Sequence, residues 1–268
     1  MEYLNRTMDL QLKGKIALVT GSTKGIGRAI AETLLREGAE VIINGRSTES
    51  VENALCEIEK EIENAKISGV ACDFSKPGEI ENLITACGPI DILINNVGIF
   101  EPKEFLEIPD VDWQRFFEIN VMSGVRMARA FLPHMMKQDW GRIIFISSES
   151  GINIPVEMVH YGMTKTAQLG ISRGIAETTK GTGVTVNSVL PGPTLSEGVK
   201  EFAGIGNDKS KEEVEKDFFN TERPTSLIQR FASPQEVANM VAYVASPLSS
   251  ATNGAALKVD GGVVKTAF

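Results

Sequence analysis

The sequence lacks long apolar runs and contains few cysteines. Its three cysteines, Cys56, Cys72 and Cys87, are an odd number without metal-ligand spacing, so we expect reduced thiols, a cytoplasmic location and no metal. No apolar run approaches the roughly 18 residues that a membrane-spanning helix needs. The segment Met1–Lys15 also lacks the apolar core of a signal peptide, so we expect neither a membrane partner nor secretion.

Positive charge is also scarce, because 27 Lys and Arg residues against 35 Asp and Glu residues give a formal net charge of −8. Nucleic-acid binding depends on cationic side chains that neutralise phosphates, so this balance disfavours a nucleic-acid partner. Apolar residues make up 42% of the chain and charged residues 23%, which is typical of a folded globular protein. Composition therefore predicts a soluble folded protein and leaves its function to the motifs.

Short apolar runs rich in β-branched residues alternate with longer amphipathic stretches along the chain. Several of these runs are apolar throughout, which is typical of parallel strands that helices cover on both faces. The alternation predicts parallel βαβ units in an α/β fold, with one domain over residues 1–268. The predicted strands are Ile16–Thr20, Glu40–Asn44, Ile67–Cys72, Ile90–Asn95, Arg142–Ser148, Val184–Leu190 and Ala256–Asp260.

The segment Pro193–Gln229 breaks this alternation. So long a connection in a compact domain is usually functional, and this one is rich in Glu, Lys and Gly. We predict that it forms one or two short helices that cover a substrate pocket as a lid, and the alternative is a solvated insertion. Its apolar positions are Val199, Phe202, Val214, Phe218 and Phe219.

A glycine-rich turn follows the first predicted strand and opens the first predicted helix. Glycines there let backbone N–H groups approach a pyrophosphate, and the helix N-terminus favours negative charge. The spacing is G-x-x-x-G-x-G, and no Gly-Lys-Ser/Thr closes a P-loop. The turn therefore indicates a dinucleotide site, with a tight structural turn as the alternative. Its residues are Gly21, Ser22, Thr23, Lys24, Gly25, Ile26 and Gly27.

Further motifs stand at fixed positions downstream of this turn. They are Asn95-Asn96-Val97-Gly98, Ser148, the Tyr161-x-x-x-Lys165 pair and Pro191-Gly192. Together with the turn, this pattern resembles the short-chain dehydrogenases/reductases, including members that reduce 3-oxoacyl-[acyl-carrier-protein]. The match runs from Gly14 to Gly262.

The resemblance implies a Rossmann-type, doubly wound parallel sheet of seven strands in the order 3-2-1-4-5-6-7, with helices on both faces. It implies hydride exchange between a nicotinamide dinucleotide and a small carbonyl compound or secondary alcohol. The positions that match the family's catalytic residues are Asn120, Ser148, Tyr161 and Lys165. Besides the turn, Tyr161 and Lys165, the implied cofactor positions are Asp73 against adenine, its neighbour Phe74, Asn95 steadying the central strand, and Pro191 and Gly192 beside the nicotinamide.

The four-residue spacing of Tyr161 and Lys165 places both side chains on one face of a helix. A free phenol has a pKa of about 10, too high for an efficient base at neutral pH. We expect the Lys165 ammonium to lower the pKa of Tyr161, and Ser148, at the end of the fifth strand, to bond the substrate oxygen. In the family, the backbone carbonyl at the Asn120 position holds a water that links the lysine to solvent.

The end of the second predicted strand indicates which dinucleotide binds. Sites for NAD usually place an acidic residue there to accept from the ribose 2′-hydroxyl, but this position holds Gly45 and the next residue is Arg46. Lys24 brings a second cation, and a guanidinium can grip a 2′-phosphate with two hydrogen bonds. The residues therefore predict NADP(H) in preference to NAD(H), unless both are ordinary surface charges.

Apolar residues lie all around the segment Phe116–Met136, so we expect a homotetramer of two-fold symmetry. The alternative activity is a 3-oxoacyl-[acyl-carrier-protein] reductase, although Asp139-Trp140 stands where such relatives tend to carry a basic residue. An alternative of another class is a non-catalytic dinucleotide-binding regulator.

Overall fold

A parallel seven-stranded sheet forms the centre of the chain. The computed structural model describes residues 8–197, 199 and 210–267. The strands follow the order β3-β2-β1-β4-β5-β6-β7, and every pairing is parallel, which confirms the predicted order. Their bounds are β1 Ile16–Val19, β2 Glu40–Gly45, β3 Ile67–Ala71, β4 Ile92–Asn95, β5 Gly141–Ile146, β6 Val184–Pro191 and β7 Ala256–Val259.

Helices cover both faces of this sheet, as predicted. They are α1 Gly25–Arg36, α2 Thr48–Glu61, α3 Pro77–Cys87, α4 Asp110–Phe117, α5 Ser123–Lys137, α6 Val159–Thr178, α7 Lys211–Thr221 and α8 Pro234–Ala245. Side chains of a strand alternate between its faces, so Ala17 and Val19 pack with α1, α2 and α8. Leu18 points to the opposite core, which α3, α5 and α6 cover. The central strands β1, β4 and β5 are mostly apolar because both of their faces are buried.

The chain changes direction in the sheet beside β1. Strand β1 pairs with β2 on one side and with β4 on the other, so successive connections leave in opposite directions. A crevice forms at the carboxyl ends of strands where such a reversal occurs. The glycine-rich turn after β1 lies at this crevice.

The predicted helical run Asp112–Lys137 is divided in the structure. Helix α4 begins at Asp110, and a π-helical turn over Glu118–Met122 separates it from α5. Asn120 lies inside this turn with none of its surface exposed. Its side-chain oxygen accepts from the backbone N–H of Ile99 at 2.7 Å, and its side-chain nitrogen donates to the Ile99 carbonyl at 2.9 Å. These bonds hold the widened turn open, and such turns are frequent at functional sites.

The predicted lid is described only in part. Residue 198 and residues 200–209, including Phe202, lie outside the described residues, as do residues 1–7 of the segment Met1–Lys15. Within the described part, α7 begins at a capping box from Ser210 to Glu213 and buries Val214 and Phe219 against Phe231. In the same residues, the structure contains no helix with the length and apolar character needed to cross a membrane.

Candidate active site

A cavity of about 560 Å³ opens at the carboxyl ends of the central strands. The structure brings Ser148, Tyr161, Lys165, Pro191 and Gly192 together in its wall, although they come from three different elements and their flanking loops. The segment predicted as a lid contributes further lining residues, among them Val199, Phe218 and Arg223. Its wall thus combines the predicted catalytic positions with part of the predicted lid.

The glycine-rich turn has the conformation that a phosphate cradle needs. Gly21 and Gly25 adopt φ values of +61° and +62°, which side-chain-bearing residues rarely adopt. A Cβ atom on Gly27 would lie only 2.4 Å from the carbonyl oxygen of Gly21, so only glycine fits there. The first residue before α1 is Lys24, whose side chain makes no capping hydrogen bond. Backbone N–H groups at this helix start therefore lack a side-chain acceptor, and the turn fits a dinucleotide pyrophosphate.

Asn96, which the sequence analysis did not single out, holds this turn against β4. Its side-chain nitrogen donates to the carbonyl oxygens of Thr20 and Gly21 at 3.0 and 2.9 Å, and its backbone N–H donates to the Thr20 hydroxyl at 3.0 Å. Asn95 was expected to steady the central strand, but its buried side chain has no hydrogen-bond partner among the described residues. The hydrogen bonds between the end of β4 and the turn are thus made by Asn96, and the role of Asn95 stays a prediction.

The end of β2 leaves no room for an acidic side chain. A Cβ atom on Gly45 would lie 2.5 Å from the Thr23 methyl carbon and 2.9 Å from the Ser50 hydroxyl oxygen. The next residue, Arg46, is exposed. The pKa of Asp73 is lowered mainly by the hydrogen bond from the Ser75 backbone, with a smaller contribution from the charge of Arg46. Arg46 and Asp73 therefore act on the same edge of the crevice, beside the buried Phe74.

Lys165 is buried at the end of β5. Its ammonium donates to the carbonyl oxygen of Ile146 at 2.9 Å and to the side-chain oxygen of Gln168 at 3.4 Å. Burial disfavours the charged form and lowers the pKa of Lys165 to about 8. The Lys165 ammonium therefore loses its proton at mildly alkaline pH.

The expected lowering of the pKa of Tyr161 is wrong in this structure. Its pKa is raised above the usual value, first by burial of the phenol and then by the negative charge of Glu149. A hydrogen bond with Ser148 and the charge of Arg223 oppose this effect but are smaller. Lys165 does not compensate, because its ammonium lies 5.6 Å from the centre of the Tyr161 ring and donates to the Ile146 carbonyl instead.

Gln168 bridges the backbone carbonyl of Asn120 and the ammonium of Lys165, a link for which the resemblance implied a water. Its side-chain nitrogen donates to the backbone carbonyl of Asn120 at 2.6 Å, and its oxygen accepts from Lys165. The side chain of Asn120 also donates to the hydroxyl of Thr164, at 3.0 Å, which ties the π-helical turn to α6. Through these bonds Gln168 holds the ammonium of Lys165 in place. Because an amide does not titrate, Gln168 is a poor carrier of protons.

Two further buried groups at the cavity escaped the sequence analysis. Glu149 accepts a hydrogen bond from Ser148 at 2.7 Å and forms an ion pair with Arg223 at 2.8 Å. These two charged residues are 74 positions apart in the chain, so no local motif could have paired them.

Comparisons with known proteins agree with this geometry. The model of the family described as short chain dehydrogenase matches residues 15–204. An uncharacterized oxidoreductase of Bacillus subtilis, YvaG, is 50% identical over 264 residues, which cover 97% of this chain and 100% of that protein. The 3-oxoacyl-[acyl-carrier-protein] reductase FabG of Aquifex aeolicus is 36% identical, with 96% and 100% covered. The structure of L-sorbose reductase from Gluconobacter frateurii, complexed with NADPH and L-sorbose, has a TM-score of 0.89 at 30% identity, covering 97% of this chain and 100% of that one.

The buried lysine predicts a pH-dependent difference in stability. Because the folded-state pKa of Lys165, about 8, lies below the unfolded value, the folded state binds fewer protons and its stability rises with pH. Lys165→Met removes this dependence. We expect the free energy of unfolding of the unchanged protein to gain about 2 to 3 kcal/mol relative to Lys165→Met between pH 7 and pH 10, measured by urea denaturation.

The exposed Lys60 provides the matched control for this experiment. The difference between the unchanged protein and Lys60→Met should be the same at both pH values. A constant difference for Lys165→Met as well would show that the buried lysine carries no such penalty.

Proposed function

The chain belongs to the short chain dehydrogenase family of oxidoreductases, and on this premise we propose that it exchanges a hydride between NADP(H) and a small carbonyl compound or secondary alcohol. The observation that carries the proposal is the meeting of Ser148, Tyr161 and Lys165 with the glycine-rich turn around one cavity. A catalytically idle dinucleotide-binding regulator would need the turn, but it would need neither the phenol nor the buried ammonium.

A bound nicotinamide dinucleotide supplies the hydride in reduction and accepts it in oxidation. The residues proposed to hold it are Gly21, Ser22, Thr23, Lys24, Gly25, Ile26, Gly27, Arg46, Asp73, Phe74, Asn95, Tyr161, Lys165, Pro191 and Gly192. Tyr161 gives a proton to the substrate oxygen in reduction and takes it back in oxidation, while Ser148 hydrogen-bonds that oxygen. The raised pKa of Tyr161 keeps the phenol protonated at neutral pH, which suits the proton-donating role.

Lys165 and Asn120 support these groups in the proposed reaction. Lys165 places a positive charge on the same helix face as the phenol and, by the resemblance, also binds the nicotinamide ribose. Asn120 acts through its backbone carbonyl, which fixes Gln168 and through it the ammonium of Lys165. The three free cysteines among the described residues favour a cytoplasmic location for this enzyme.

Reduction of 3-oxoacyl-[acyl-carrier-protein] is the second candidate activity, because FabG of Aquifex aeolicus is 36% identical. Acyl carrier proteins are acidic, whereas this chain has a net charge of −8 and carries Asp139 before β5. We therefore favour a small free substrate. NADPH oxidation with ketones, sugars, quinones and 3-oxoacyl thioesters separates the two, since a much higher kcat/KM for carrier-bound than for free thioesters would establish the second activity.

The first prediction of this proposal concerns the phenol. Tyr161→Phe removes the proton donor and keeps the ring, so turnover should fall about 10²- to 10⁴-fold while dinucleotide affinity changes little. Steady-state kinetics with a substrate found by the screen, together with calorimetric titration of NADP⁺, measure both. The half-exposed Tyr243→Phe is the matched control and should keep full turnover. Near-normal turnover of Tyr161→Phe would refute the proposed mechanism.

The second prediction concerns the choice of dinucleotide. Arg46 and Lys24 are exposed and are the residues we propose for the 2′-phosphate, and no acid fits at Gly45. We expect NADP(H) to exceed NAD(H) at least tenfold in kcat/KM, or about 1.4 kcal/mol. Arg46→Ala should remove most of this preference and spare turnover with NADH, whereas Arg36→Ala, an exposed arginine on α1, should leave the preference intact. Equal use of both dinucleotides by the unchanged protein would contradict the assignment.

The third prediction concerns assembly. Of the apolar residues that suggested an interface, Val121, Met127 and Phe131 are buried within the chain, but Phe117 remains 42% exposed. Further exposed apolar residues on or near α4 are Phe105, Leu106 and Val111. Because exposed patches of this kind mark interfaces, we propose a homotetramer. Light scattering should give about four times the chain mass of 29.0 kDa, and Phe117→Glu should reduce it. A monomer at micromolar concentration would exclude the tetramer.

A further inference from the structure

Glu149 follows the proposed catalytic serine directly and is buried, with 3% of its surface exposed. One carboxylate oxygen accepts hydrogen bonds from the hydroxyls of Ser148, at 2.7 Å, and Ser150. The other oxygen accepts from the Nε atom of Arg223 at 2.8 Å. Both oxygens are therefore engaged, and the carboxylate lies between the catalytic serine and a buried guanidinium.

Arg223 comes from a different part of the fold, just after α7. Its side chain is 9% exposed, and its Nη1 atom donates to the carbonyl of Glu222 at 2.8 Å and contacts the carboxylate of Glu157 at 3.4 Å. A buried charge needs such partners, because removing one of them leaves the other unpaired away from water. Arg223 thus links the end of α7 to the turn that carries Ser148 and to the segment before α6.

The direction of the Ser148 hydroxyl follows from this arrangement. A serine hydroxyl has a single proton, and here it is donated to Glu149. The Ser148 oxygen is left to accept, as it does from the backbone N–H of Ser150 at 3.1 Å. Without an acceptor at Glu149, the hydroxyl could turn toward any neighbouring oxygen.

We propose that Glu149 and Arg223 are positioning residues of the reaction: Glu149 holds the Ser148 hydroxyl until it turns to the substrate oxygen, and Arg223, bound to the other carboxylate oxygen, makes this hold depend on the placement of the segment after α7. This inference rests on the proposed function of Ser148 and Tyr161. The ion pair would then couple the segment after α7 to Ser148, the group that bonds the substrate oxygen.

The charges around Tyr161 give the pair a distinctive signature. Glu149 raises the pKa of Tyr161 and Arg223 lowers it, so the two residues act with opposite sign. The other charged groups near this site are Lys165 on α6, Glu157 before α6 and the exposed Glu222 at the end of α7. None of these three contacts Ser148 among the described residues, so the pair can be tested against them.

The test is a double-mutant cycle read through the pH profile of kcat/KM for alcohol oxidation. Because the pKa of Tyr161 is raised above its usual value, we expect activity to be still rising at the highest pH measured, and the variants are compared by the pH at which they reach the same kcat/KM. Glu149→Gln keeps an acceptor for Ser148 but removes the negative charge, so this rise should move about one pH unit lower. Arg223→Gln should move it higher, and Glu149→Gln/Arg223→Gln should return it to within about half a unit of the starting position.

Hydrogen exchange at residues 210–226 provides a readout that does not depend on turnover. Both single variants should exchange faster there than the unchanged protein, because each loses the link between Glu149 and Arg223. The matched control is Glu157→Gln, which loses a contact to Arg223 but none to Ser148. Its pH profile should coincide with that of the unchanged protein.

Each outcome decides the proposal. Opposite shifts that cancel in the double variant support it, whereas equal losses of activity in all variants without a shift, or unchanged exchange at residues 210–226, overturn it. If Arg223→Gln does not fold, the downward shift of Glu149→Gln and its reversal in the double variant still carry the test. Full activity of Tyr161→Phe would instead refute the proposed function. If Tyr161→Phe is inactive but the pH profile of Glu149→Gln matches that of the unchanged protein, only the positioning role of Glu149 and Arg223 is refuted.

Discussion

The buried ammonium of Lys165 is the constraint on which the geometry of this site depends. A charge removed from water must be matched by hydrogen-bond acceptors, and the chain provides them from two elements: the end of β5 through Ile146 and α6 itself through Gln168. The Ser147 hydroxyl also donates to the backbone carbonyl of Lys165, at 2.8 Å, and so fixes α6 against the strand end. Gly98 lies beside this ammonium, and a Cβ atom added to Gly98 would be 3.4 Å from the Nζ atom of Lys165.

The same contacts place the remaining groups. Tyr161 lies one helical turn before Lys165 and therefore reaches the cavity beside Ser148. Burial moves the two titrating groups in opposite directions, raising the pKa of Tyr161 and lowering that of Lys165 to about 8, so it favours the neutral form of both. The ion pair of Glu149 and Arg223 also acts on the phenol, because Glu149 raises the pKa of Tyr161 and Arg223 lowers it.

Much of the fold and the outline of the site were predictable from sequence, for identifiable reasons. Apolar runs buried on both faces predicted all seven strands to within a few residues, and the glycine-rich turn predicted the crevice, because backbone conformation and close approach restrict those positions to glycine. Ser148, Tyr161 and Lys165, which were chosen by their motif positions, all line one cavity. The pKa of Tyr161 was predicted in the wrong direction, since residue spacing shows which helix face is shared but not where an ammonium points or how deeply a phenol is buried.

The residues that sequence reasoning missed act through contacts between distant elements. Asn96 bonds across to the turn after β1, Gln168 bonds across to the π-helical turn, and Glu149 meets Arg223 from a separate segment. Such pairs depend on rotamers and packing that no local pattern contains.

In the proposed reaction, a hydride passes from the nicotinamide to a carbonyl carbon in this cavity while the chain supplies the proton. The most direct measurement is the fate of the hydrogen: NADPH labelled with deuterium at the transferred position of nicotinamide C4 is incubated with a reducible carbonyl compound, and the product is analysed by mass spectrometry. We expect a single deuterium on the carbon of the new alcohol and an unlabelled hydroxyl in ordinary water. NADPH consumption that leaves the deuterium out of the product, or no consumption with any carbonyl compound tested, would contradict it.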